Sequence, residues 1–112
     1  MAVTENTSGS TNTDGTEQTL ATITSAGNYQ FRVSLKNMVN DDMLEFRIKV
    51  EPRASASTAE VLYFYCYKHA QGADSAIVDT PWVAIPASGQ YIVTIKRVAG
   101  ADHAYEWSIL TQ

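Results

Sequence analysis

Cysteine, helical periodicity, long apolar runs and early positive charge are all scarce or missing in this chain. Cys66 is the single cysteine, so no internal disulfide can form. Its setting, Val61-Leu62-Tyr63-Phe64-Tyr65-Cys66-Tyr67, is strongly apolar, and such a setting predicts a buried structural thiol. The first Lys or Arg is Arg32, so no basic segment precedes an apolar one and no signal or transit peptide is expected. No apolar run approaches the ~20 residues of a membrane helix. The expectation is a chain made and kept in a cytosol, with no membrane partner.

Charge is sparse as well. Charged residues make up 18% of the 112, and the net charge is −4. Most of that lies in residues 1–19, where Glu5, Asp14 and Glu17 have no basic counterpart. A surface without clustered Lys and Arg argues against nucleic acid as a partner. It suits a protein that works packed against other proteins.

The strongest positive signal is alternation. Tyr29-Gln30-Phe31-Arg32-Val33-Ser34-Leu35-Lys36 is apolar at every odd position, and Leu44-Glu45-Phe46-Arg47-Ile48-Lys49-Val50-Glu51 at every even one. Side chains alternate across a strand, so each run predicts a strand with one dry and one wet face. Further strands are expected at Thr19–Thr24, Ala59–Ala70, Gln90–Val98 and Tyr105–Leu110. Ala76–Ile85 reads as a strand broken by Pro81, which suits a sheet edge. Loops are expected at Pro52–Thr58 and Gln71–Ser75. About seven short strands with turn signals near every tenth residue predict an all-β antiparallel sandwich, Ig-like or jelly-roll-like, over residues 19–112. Residues 1–18, rich in Thr, Ser, Asn and Gly, have little to bury and predict a flexible polar arm.

Chemistry is hard to find. His69 and His103 lack the ligand spacing of a zinc site, and Asp102-His103 lies in no nucleophile context. Asn40-Asp41-Asp42 has the composition of a turn and lacks the ligand spacing of a calcium loop. No catalytic residue, metal or cofactor is expected. The strand Ala59–Ala70 differs from the others because it is apolar on both faces. Val61, Tyr63, Tyr65 and Tyr67 share one, and Leu62, Phe64 and Cys66 the other, so it needs cover twice. A tyrosine stripe can stack sugars, cap a core or build a subunit contact. Only Lys68 and His69 adjoin it, without the carboxylates or amides of a sugar site, so a protein interface through Tyr63, Tyr65, Tyr67, Trp82 and Val83 is the reading favoured here.

Several segments together resemble small virion proteins of tailed bacteriophages. They are the run Tyr29–Leu35, Asp42-Met43-Leu44-Glu45-Phe46-Arg47, the aromatic Tyr63-Phe64-Tyr65, Ile95-Lys96-Arg97-Val98-Ala99-Gly100, and an ending with Trp107. The resemblance covers residues 19–112. At Ala99-Gly100-Ala101-Asp102-His103 the chain departs from the Gly/Thr/Arg run of such proteins. It implies a capsid decoration, or cement, protein without enzyme activity. Such a protein binds the outside of the head and bridges major capsid protein subunits, commonly as a homo-oligomer, a trimer above all. A sugar- or receptor-binding knob of a tail fibre, or a head-tail or tail subunit, stands as the alternative.

Overall fold

Tyr29, Phe31, Val33 and Leu35 from one alternating run, and Leu44, Phe46 and Ile48 from the other, all turn inward and are almost fully buried. They meet because the two strands lie in different sheets, face to face. The Phe31 and Phe46 rings sit 5.8 Å apart, and Tyr29 stacks on Tyr91 at 5.5 Å. Tyr91, Val93, Ile95, Tyr105 and Ile109 complete the core. The computed structural model describes residues 2–53, 58–72 and 76–112.

Nine strands are present among the described residues, and no helix. They are β1 (Thr4–Asn12), β2 (Gln18–Ile23), β3 (Gly27–Ser34), β4 (Met43–Val50), β5 (Glu60–Lys68), β6 (Ile77–Asp79), β7 (Val83–Ile85), β8 (Tyr91–Ala99) and β9 (Ala104–Thr111). One sheet has the order β1-β9-β3-β6, with β7 also on β3, and the other the order β2-β8-β4-β5. Every pairing is antiparallel. With β6 and β7 taken as one interrupted strand, this order is the winding of a jelly roll. The expected all-β sandwich is therefore what the chain forms. The loops expected at Pro52–Thr58 and Gln71–Ser75 fall partly outside the described residues.

The broken edge strand is as expected. Pro81 separates β6 from β7, and both pair with β3. Thr80 bridges the gap: its N–H donates to Phe31 O at 2.9 Å, and its Oγ1 accepts from Phe31 N–H at 3.0 Å.

The front of the chain differs from expectation. Residues 4–12 lie along β9 as strand β1, where a free arm was predicted. Composition hid this because β1 brings almost no apolar surface of its own. Its hold comes from the backbone ladder and from Trp107, whose indole crosses Gly9 and whose Nε1–H donates to Thr11 Oγ1 at 3.0 Å.

Candidate functional site

Strand β5 ends the β2-β8-β4-β5 sheet, and among the described residues nothing pairs with its other side. Its register on β4 sets Cys66 opposite Glu45, Phe64 opposite Arg47 and Tyr63 opposite Ile48. Residues opposite each other share a face. The tyrosines therefore go inward with Phe46 and Ile48, and Phe64 and Cys66 go outward with the charged residues of β4.

Tyr63, Tyr65 and Tyr67 are accordingly half-buried and packed on the core. Tyr67 meets the Phe46 ring edge-on at 6.1 Å, and burial holds the Tyr65 and Tyr67 phenols above their ordinary range. Tyr65 and Tyr67 also close a small cleft between the sheets with Val78 and Thr80, where β5 faces β6. Trp82 is half-buried between β6 and β7, and Val83 is buried in the core. The five residues expected at an interface thus divide: the three tyrosines share the inner face of one edge strand, whereas Trp82 lies in the break between β6 and β7 and Val83 opens β7 in the opposite sheet.

The outer face of β5 is the bare one. Leu62 is 45% exposed, Phe64 49%, and Val61 50%. Cys66 is exposed as well, which corrects the expectation of a buried thiol. Apolar neighbours in sequence could not reveal this, because they lie on the other side of the strand or along the same uncovered strip. A register shift between Ile48 and Lys49 skips Leu62 and turns Val61 outward too, away from the tyrosine face. The missing signal was the β4 pairing. Once Phe64 is opposite Arg47, its solvent side follows.

Beside the strip lies a charged network. The Arg47 guanidinium sits 4.9 Å above the Phe64 ring, an attractive cation–π geometry. It also contacts Glu45 at 3.1 Å and Glu17 at 4.0 Å, and Lys49 meets Glu17 at 2.7 Å. The Lys49 contact, foremost, holds the Glu17 carboxyl below its usual range. The outer face of this sheet is thus an apolar strip with a neutralised ionic border.

The residues with catalytic potential are engaged in structure. Asp42 Oδ2 accepts from Val39 N–H at 2.9 Å, and Oδ1 from Ala101 N–H at 3.0 Å, which joins the β3–β4 turn to the β8–β9 turn. His103 Nε2 lies 3.1 Å from Asp42 Oδ2. Burial pushes the Asp42 carboxyl up, but the two backbone donors and His103 outweigh it, and the pKa ends below the ordinary value of 3.8. Asp102 accepts from Arg97 and from Thr13 Oγ1. His69 Nδ1 accepts from Asp41 N–H at 3.3 Å. No cluster of three or more His, Cys, Asp or Glu suited to a metal ion occurs among the described residues. No protein-family model, curated protein or solved structure matches the chain.

Proposed function

We propose that this protein is a non-enzymatic virion component that decorates the capsid exterior of a tailed bacteriophage and bridges major capsid protein subunits. The observation that carries the reading is the uncovered strip Val61, Leu62, Phe64 and Cys66 on an edge strand. Exposing a contiguous apolar strip costs solubility unless a partner covers it. A long apolar edge without that cover also invites misassembly. The sheet's ionic border gives such a partner a rim without strong net charge, in keeping with the anatomy of protein interfaces. The jelly-roll winding agrees with a virion role, although lectins share it, so the site carries more weight than the fold.

In this reading the strip docks on the shell, and many copies acting together reinforce it by avidity. The protein is made in the host cytoplasm and resides on the head. The test is co-sedimentation of fluorescently labelled protein with expanded capsids lacking it, followed by heating of the bare and decorated shells. Saturable binding and a raised disruption temperature are expected. Labelled protein that stays in the supernatant contradicts the proposal, as does an unchanged shell. A fluorescence response to oligosaccharides in its place would favour the fibre-knob alternative.

A further inference from the structure

We propose that β5 is also the seam of a homodimer, in which it pairs antiparallel with β5 of a second copy about a twofold axis at Tyr65. The inference rests on the proposal that the β5 region is the working surface, and it names the partner at the strand's edge.

Backbone parity supplies the first argument. His69 N–H donates to Asp42 O at 2.8 Å, and these residues lie directly opposite, one step beyond the Met43–Lys68 pair. In an antiparallel ladder, hydrogen-bonded pairs alternate with non-bonded ones. Tyr67 and Tyr65 therefore bond to β4, whereas the N–H and C=O groups of Phe64, Cys66 and Lys68 point to the open edge. The edge is a ready ladder with its apolar residues in bonding position.

Register follows from the irregularity and from charge. The bulge next to Leu62 spoils pairing at one end, and the left-handed φ of 65° at His69 ends the strand at the other. The regular stretch is Tyr63–Lys68. An axis at Tyr65 keeps the central pairing inside it and sets Phe64 opposite Cys66 of the second copy, twice over. Glu60 and Lys68, both exposed, are the only charges on β5 and lie at its two ends. Antiparallel self-pairing brings the acidic end of one copy beside the basic end of the other; a parallel arrangement would bring like charges together. Of the other edges, β1 offers only Thr, Ser, Asn, Glu and Gly, and the shorter β2 keeps its apolar Leu20, Ala21 and Ile23 half-buried or buried, so neither supplies a ladder with an exposed apolar strip. The product is a continuous eight-stranded sheet, β2-β8-β4-β5 followed by its symmetry mate, with the outer strip doubled for docking. It closes at two copies, unlike the trimer the resemblance implies.

Sedimentation equilibrium of the full chain tests this. The wild type should approach twice its 12.3 kDa as concentration rises. Cys66→Pro removes an N–H that β4 does not use, so the fold should hold by circular dichroism while the mass stays monomeric. A disulfide test fixes the register without relying on that variant folding. Opposed hydrogen-bonded residues lie about 5.5 Å apart between Cα atoms, within disulfide reach. Phe64→Cys in the native Cys66 background should therefore cross-link under mild oxidation, and neither the wild type nor Phe64→Cys with Cys66→Ser should. A wild type that remains monomeric up to its solubility limit overturns the proposal, and so does cross-linking through Cys66 alone. A monomer that still sediments with shells would overturn the dimer and leave the decoration reading standing; a dimer that ignores shells would do the reverse.

Discussion

The indole of Trp107 lies so close over Gly9 that a Cβ there would sit 3.0 Å from the ring. This contact, with the Thr11 hydrogen bond, is the side-chain anchor of a polar strand held otherwise by its backbone ladder to β9.

Gly9→Val should force the indole away and loosen β1, at a cost of about 1–3 kcal/mol as in other overpacked sites. The check is urea denaturation with tryptophan fluorescence in a Trp82→Phe background, so that Trp107 alone reports. A red-shifted native emission and an earlier midpoint are expected.

Asp42 makes a prediction about acid. Its folded pKa is below 3.8, so its stabilisation is complete above that value and disappears as pH falls through the folded pKa. Asp42→Asn cannot satisfy both Val39 and Ala101 N–H groups, because one of its two terminal atoms is a donor. Thermal melts at neutral pH should show a loss of about 1–3 kcal/mol, and the variant should lose less than the wild type on acidification.

The alkaline limb comes from Tyr91 and Tyr105. Burial pushes both phenols up to about 12, from 10.0. The folded state thus keeps protons that the unfolded chain releases. Stability is intact below pH 10 and falls between 10 and 12, by about 1 kcal/mol per pH unit for each group. Tyrosinate absorbance followed alongside circular dichroism should show these two groups ionising together with unfolding.

The two faces of the β4–β5 pair should respond differently to truncation. Phe46→Ala removes a ring at the centre of the core and should cost about 3–5 kcal/mol. Phe64→Ala, on the bare face, should stay within about 1 kcal/mol. Native Cys66 should react fully with a thiol reagent in the free protein.

Most of this architecture is legible in the residues. Tyr29–Lys36 and Leu44–Glu51 announce their buried faces through strict alternation, and Pro81 marks its edge. β1 was invisible because its anchor, Trp107, lies almost a hundred residues away in sequence and its own side chains are polar. The bare strip was half legible. Leu62, Phe64 and Cys66 could be placed on one face, but only the register against Glu45 and Arg47 says that face meets solvent. Tyrosines drew attention by their size, yet aromatic bulk is what a sandwich needs inside, and it is there that Tyr65 and Tyr67 went.

The proposed decoration role puts the capsid contact on the exposed outer face of β5. It is tested most directly by measuring the affinity of wild type and Phe64→Lys for undecorated capsids. The substitution lies on an exposed position, so the melting curve should barely move. At least a tenfold loss of affinity, about 1.4 kcal/mol, is predicted. Undiminished binding by a folded Phe64→Lys protein would contradict it.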